Sequence, residues 1–219
     1  IYTLSLHDAL PISVDGILNS LRSWNLFDSK SIVGESCNTG GFGIDGGVSS
    51  FIGASLAKKA DYYYCVTGDL SFFYDMNVLG NRHIDNNVRL MVVNNGVGVE
   101  FKFYHHQSDF LDVDKYIGEA GHFGNKSHEL LKHYSEDLGF EYLSASNKEE
   151  FEKVYSRFVS EKKDKPILFE VFTNASDDDK ALYMINHLQG ATLKQAVKQE
   201  IKNIVGPSTV KAIKSIVKR

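Results

Sequence analysis

Only two of the 219 residues are cysteine, Cys37 and Cys65, and they show neither CxxC spacing nor the density of a disulfide framework. That excludes a cystine-stapled secreted scaffold and points to a reducing cytoplasm. Cys65 lies in an apolar run, where a free thiol behaves as a small hydrophobe. No apolar run approaches the length of a membrane-spanning helix, which excludes a transmembrane protein. No His/Cys group has zinc spacing, and Ser36, Cys37 and the histidines form no nucleophile elbow. Positive charge is also short: 24 Lys and Arg face 28 Asp and Glu, a net −4. A general nucleic-acid binder would need a basic face, so that class is set aside. Internal repeats and low-complexity tracts are absent.

The opening "IYTLSLHDALPIS" has no initiator Met and no basic n-region, so it is not a signal peptide. It resembles translated sequencing-adapter sequence. Residues 1–13 are therefore read as a lead-in foreign to the protein, which is expected to extend upstream; an ordinary helical lead-in is the alternative. With 42% hydrophobic residues, the chain can bury one sizeable core and carry an appendage. Residues 14–189 are assigned to the domain. Residues 190–219 form a tail with seven Lys or Arg against Glu200 alone, +6, which leaves −10 on the rest.

Within the domain, short β-rich runs alternate with helical patterns. Strands are expected at 31–34, 62–67, 89–94, 140–144 and 166–172, and the continuous runs "RLMVV" and "ILFEVF" suit strands buried on both faces. Helices are expected at 46–60, with Val48, Phe51, Ile52 and Leu56 on one stripe, and at 126–138 and 148–162. Phe72, Phe73, Met76 and Leu79 make another helical stripe. The alternation predicts an α/β fold, a doubly wound and mostly parallel sheet flanked by helices. The tail reads as two amphipathic helices around Gly206-Pro207. They would pack on their own domain or a partner subunit, or lie on an anionic membrane surface.

Ligands of doubly wound sheets bind at the carboxyl ends of the strands. Gly68-Asp69 and Asn94-Asn95 both fall there, with Asp69 and Asn95 26 positions apart and one helical crossover between them. A carboxylate, an amide oxygen and a nearby carbonyl suit a hard cation such as Mg2+, whose other positions commonly go to phosphate oxygens. Ser71 is expected to begin the next helix, where its hydroxyl and the free N–H groups form an anion site. A Mg2+-bridged diphosphate could sit there.

Together "GDLS" and "NNGVG" resemble the GDG…NN fingerprint of thiamine-diphosphate enzymes. Leu70 in place of the third residue is the variant of the menaquinone-pathway succinyl-enolpyruvyl-cyclohexene-carboxylate (SEPHCHC) synthases. "GFGIDGGVSS", "SFFYDMNVL" and "PILFEVFTNASDDDKAL" resemble that branch too, so the likeness runs over residues 14–185. It implies a diphosphate-binding domain with Asp69, the Asn95 side chain and the Val97 carbonyl as Mg2+ ligands. Gly68, Leu70, Ser71 and Asn95 would face thiamine diphosphate. Ile44 would hold the cofactor bent, and Gly40, Gly41 and Gly43 would let the backbone approach its ring. Core packing for Ile44 and a tight turn at Gly40–Gly43 are the plainer accounts.

The resemblance further implies decarboxylation of a 2-oxo acid, 2-oxoglutarate in this branch, and transfer of an acyl carbanion equivalent to an acceptor. The chemistry would be the cofactor's. Departures bear on the acceptor. Where the family reads "NRGASGIDG" this chain reads "NTGGFGIDG", with Thr39 at the substrate-binding Arg. A second such Arg aligns near Gly16, with Arg22 the nearest candidate. Without those guanidiniums bidentate carboxylate recognition is lost, which points to a polysaccharide-pathway carboligase or a 2-oxo acid decarboxylase as alternatives. A non-catalytic scaffold subunit is a third possibility. The family's activating Glu sits on a separate pyrimidine-binding domain that nothing here matches, and neither Glu35 nor Glu100 is given its role. A pyrimidine-binding domain or subunit, and a homo-oligomer, are thus the expected partners. His105, His106 and His122 are either solvated loop residues or acid/base groups over the cofactor.

Overall fold

The structure, a computed structural model, describes residues 12–15, 35–38, 46–57, 62–97, 127–162, 164–178 and 180–181. The chain divides into two compact units, Ile1–Asp179 and Lys180–Arg219. The expected tail helices lie outside the described residues, as do the segment 31–34 and the site residues Gly40, Gly41, Gly43 and Ile44.

Among the described residues, six parallel strands lie in the first unit: β1 (Ile12–Asp15), β2 (Glu35–Asn38), β3 (Tyr63–Gly68), β4 (Val88–Asn94), β5 (Glu141–Ala145) and β6 (Ile167–Phe172). Their order across the sheet is β2-β1-β3-β4-β6-β5, with Gly68 registered on Val93 and Asn94 on Phe172. Helices α1 (Gly47–Ala57), α2 (Asp69–Asp75), α3 (Leu130–Asp137) and α4 (Lys148–Phe158) flank it. The doubly wound parallel architecture expected from the alternation is therefore present. Strand β1 was not expected, and it overlaps the last two residues of the supposed lead-in.

Side chains of successive strand residues point to opposite faces, and the core divides accordingly. Tyr63, Cys65, Val88, Leu90, Val92 and Leu168 pack with Val48, Phe51 and Ile52 of α1, Phe72 of α2 and Leu131 of α3. Tyr64, Met91, Ile167 and Phe169 pack on the other face with Phe158 of α4. As the unbroken apolar runs predict, β4 and β6 are almost wholly buried. Leu56 departs from its expected stripe and is 44% exposed, in the last turn of α1 where Gly53, Ala54 and Ala57 are exposed as well.

Helix boundaries follow local chemistry. At the start of α4, Asn147 accepts from the Glu150 N–H at 2.9 Å while Glu150 reaches back to the Ser146 N–H at 2.8 Å, a capping-box arrangement. The helix stops at Phe158, four residues short of the expectation. Helix α3 begins at Leu130, after a turn over 127–129, and ends at Asp137, two residues before Gly139 (φ 88°). There the Phe140 N–H donates to Ser135 and the Gly139 N–H to Glu136, the 6→1 and 5→2 bonds of a Schellman stop. The stripe at Phe72–Leu79 is divided between α2 and a 3-10 turn, Met76–Gly80.

Candidate functional site

Two adjacent strand tips meet at the carboxyl edge of the sheet. Gly68 closes β3 in an extended conformation (φ −77°, ψ 157°) and serves as N-cap of α2, so Asp69 opens that helix two residues before the expected Ser71. Asp69 is 2% exposed, and Leu70 and Ser71 are buried beside it. From the neighbouring tip, Asn94 ends β4 and the chain turns through Asn95, Gly96 and Val97, with Gly96 at φ 78°.

The tips are tied directly. The Gly96 N–H donates to Asp69 Oδ2 at 2.7 Å, a buried bond across 27 positions. It also approaches Asn94 Oδ1 at 3.2 Å, and the Val97 N–H donates to Asn95 Oδ1 at 3.1 Å. Both asparagines thus use their side-chain oxygens to fold the turn back on itself. Asp69 is tied to the Asn95–Val97 turn through the Gly96 N–H, while the Asn95 side chain bonds elsewhere.

A third element completes the cluster. Strand β6 lies beside β4, and the Thr173 N–H extends that ladder by donating to the Asn94 carbonyl at 2.9 Å. Asn174 then accepts the Asp177 N–H at 2.9 Å and starts a helical turn at 175–178. That turn carries Asp178 back to Asn95, whose Nδ2 donates to Asp178 Oδ2 at 2.8 Å; Thr173 Oγ1 donates to the same oxygen at 3.0 Å. Inside β6, Glu170 is 1% exposed and accepts from Asn94 Nδ2 and from the Tyr142 hydroxyl of β5, each at 2.7 Å.

Three acidic side chains, Asp69, Glu170 and Asp178, therefore surround one turn. Burial pushes the Glu170 carboxyl up, opposed by its hydrogen bonds from Tyr142 and Asn94, with the charge of Asp69 adding to the rise. Burial likewise raises Asp178, and the charges of Asp69 and Asp177 act in the same direction. Negative charge gathered out of water in this way is relieved by a cation. The donor set available to one is a buried carboxylate, an amide oxygen and a backbone carbonyl, all hard oxygen ligands. Among the described residues, no group of three or more His, Cys, Asp or Glu is placed to hold a metal ion. Beside Asp178 lies an open cleft of about 360 Å³, lined by Asn147, Lys148, Phe151, Phe172 and Asp177 among others. The His128 ring stacks on Phe172 at 4.4 Å.

Sequence reasoning did not find Tyr142, Glu170, Thr173 or Asp178. Glu170 carried a signal, an ionisable residue in the middle of the apolar run "ILFEVF". Asp178 carried none, because its position follows from β6 lying next to β4. His105, His106, His122, Thr39 and Glu100 lie outside the described residues.

Comparison with known proteins supplies a relationship. No protein-family model matches the chain. The 2-succinyl-5-enolpyruvyl-6-hydroxy-3-cyclohexene-1-carboxylate synthase of Christiangramia forsetii is 35% identical over 168 residues, 76% of this chain and 28% of that protein. The synthase of the same name from Bacteroides fragilis is 34% identical over 183 residues, 81% of this chain and 32% of its own length. That of Flavobacterium psychrophilum is 30% identical over 190 residues, 86% of this chain and 32% of the relative. The chain spans about a third of the length of the curated relatives it matches. Over that third, with the strand-tip residues described above, it belongs to the thiamine-diphosphate-dependent enzyme family as a relative of the SEPHCHC synthases.

Proposed function

We propose that the chain is the diphosphate-binding part of a thiamine-diphosphate- and Mg2+-dependent carboligase of the SEPHCHC-synthase kind, acting in menaquinone biosynthesis. Asp69, the Asn95 side-chain oxygen and the Val97 carbonyl hold the cation. Gly68, Leu70, Ser71 and Asn95 face the diphosphate, with Gly40, Gly41, Gly43 and Ile44 against the rest of the cofactor. The observation that carries this is the buried bond from the Gly96 N–H to Asp69, which joins the carboxylate to the turn bearing the other two ligands. Oxygen donors of this kind fit a hard cation that keeps phosphate oxygens in its remaining positions.

Bound there, thiamine diphosphate would supply the electron sink for loss of CO2 from a 2-oxo acid, 2-oxoglutarate by analogy with the relatives, and for addition of the remaining acyl unit to an acceptor. The residues of this chain bind and orient. Activation of the cofactor requires a Glu from a pyrimidine-binding domain or subunit, and a homo-oligomer would bring the two together. Thr39 supports a second reading within the same chemistry. Where the synthases carry an Arg for substrate carboxylate, this chain has a hydroxyl, which favours a less acidic acceptor, as in polysaccharide-pathway carboligases, or simple decarboxylation. A scaffold subunit would have no need of Asp69, Ser71 and Asn95 together.

The test uses Mn2+ as a paramagnetic stand-in for Mg2+. With thiamine diphosphate present, the full chain should immobilise Mn2+ in its electron paramagnetic resonance spectrum, and Asp69→Ala should weaken that binding at least tenfold with the fold intact by circular dichroism. Equal Mn2+ affinity in the two proteins would overturn the site.

A further inference from the structure

An asparagine can serve a cation only through Oδ1, and its amide has no preference of its own between the two ends. Something must hold Nδ2 away from the metal. Around the strand tip this is done twice and in the same manner. Asn95 gives Nδ2 to Asp178 at 2.8 Å and receives the Val97 N–H on Oδ1 at 3.1 Å. Asn94 gives Nδ2 to Glu170 at 2.7 Å and receives the Gly96 N–H on Oδ1 at 3.2 Å. Each amide therefore lies between a carboxylate, which accepts, and a backbone N–H, which donates. Reversing either amide would set N–H against N–H and oxygen against oxygen.

Both carboxylates come from one stretch of chain, β6 and the turn after it, 76 and 83 positions from the asparagines they hold. Their own places are fixed independently. Tyr142 donates to Glu170, with burial holding its phenol well above the usual range, so that it stays a donor. Thr173 donates to Asp178, and its N–H pins the stretch to β4 through the Asn94 carbonyl. Glu170 is nearly inaccessible to solvent, and an ionisable residue in such a place needs partners to be tolerated at all.

We propose that Glu170 and Asp178 are positioning residues that set the amide orientation of Asn94 and Asn95, so that the oxygen of Asn95 is presented to the cation and the turn is held against Asp69. This rests on the cation site proposed above and deepens it. Neither carboxylate is a ligand; each acts through the asparagine it grips. Groups of this type, one bond removed from the metal, commonly change metal affinity by about 10- to 100-fold when lost.

Two substitutions at Asp178 separate orientation from charge. Asp178→Leu and Asp178→Asn both remove the negative charge, but only the Asn variant keeps an oxygen that can accept from Asn95. In the full chain with thiamine diphosphate, Mn2+ affinity by electron paramagnetic resonance should fall at least tenfold in Asp178→Leu and stay within about threefold of the parent in Asp178→Asn. Glu170→Leu and Glu170→Gln should diverge in the same direction. Because Glu170 lies in the core and its Leu variant can fail to fold, the Asp178 pair decides. Equal affinity in the Leu and Asn variants of Asp178, whether both high or both low, would overturn the orienting role. Asp69→Ala run alongside separates the two failures: loss in Asp69→Ala with none in Asp178→Leu sinks this inference alone, and no loss in Asp69→Ala sinks the cation site itself.

Discussion

Gly96 sits at φ 78° with its N–H donated inward to Asp69, so both its backbone conformation and its hydrogen bond are committed. A Cβ in this region of the backbone costs about 1–2 kcal/mol. Gly96→Ala should therefore lower the midpoint of thermal unfolding by an amount corresponding to about 1 kcal/mol, and weaken thiamine-diphosphate-dependent Mn2+ binding with it. A variant as stable and as tight as the parent would show that the turn tolerates a side chain and is not strained. Much at this scale is legible in the sequence. Asp69 and Asn95 announce themselves because a polar residue directly after an apolar strand has no core to enter and must face a ligand or solvent. Arg89 is less obvious: it stands in a buried run and is fully inaccessible, yet its bonds among the described residues go to backbone carbonyls and not to a carboxylate. Its guanidinium is held by the carbonyls of Asn86, Val88, Lys162 and Lys165 and lies 5.3 Å from the centroid of the Tyr62 ring. Burial lowers its pKa. Backbone acceptors leave no trace in sequence, so such a site cannot be recognised there.

Elements are joined by a smaller set of contacts. Ser49, near the start of α1, donates both its N–H and its hydroxyl to Asp75 at the end of α2. Arg157, at the end of α4, bridges Glu141 of β5 and Asp164 in the turn before β6. Hydrogen bonding to Arg157 holds Glu141 below the usual carboxylate range, and Lys162 with Arg157 does so for Asp164. A folded pKa below the unfolded value, about 4, gives stability that is present above pH 4 and lost as pH falls through the depressed folded values. Arg157→Met should cost on the order of 1 kcal/mol at neutral pH through the Glu141 pair. It should also flatten the fall in melting temperature between pH 4 and 2. An unchanged acid limb would show that the bridge does not contribute. The strands at this scale were largely foreseeable, because runs such as "RLMVV" are apolar at every position and only a strand covered on both faces can use them. Strands β1 and β2 were not foreseen at their places, nor were two features of the helices. Helix α1 follows its periodicity as far as Ile52, but Leu56 has the same spacing and is exposed, since amphipathic patterning records a preference rather than the extent of the surface that satisfies it. The 3-10 turn after α2 continues an i, i+3 spacing that a sequence alone cannot tell from an α-helix.

For the molecule as a whole, an acidic body and a basic tail divide the charge, −10 against +6. Among the described residues no helix is long and apolar enough to cross a membrane. On the proposed function, which takes the activating Glu from a separate pyrimidine-binding domain or subunit, the purified chain should release no CO2 from 2-oxoglutarate even with thiamine diphosphate and Mg2+. Turnover above the free-cofactor background would show that activation resides within these 219 residues. The order of the strands has a consequence of its own. Among the described strands, β6 lies between β4 and β5 and pairs with both, so β5 bonds to none of the others until β6, the last of them in the chain, is in place. On a ribosome, where the chain emerges from its first residue onward, β5 must wait unpaired while another twenty residues or so are added. The sheet is then closed from inside its own edge, a long-range event of the kind that folds slowly and leaves a strand exposed to misassociation until it is complete.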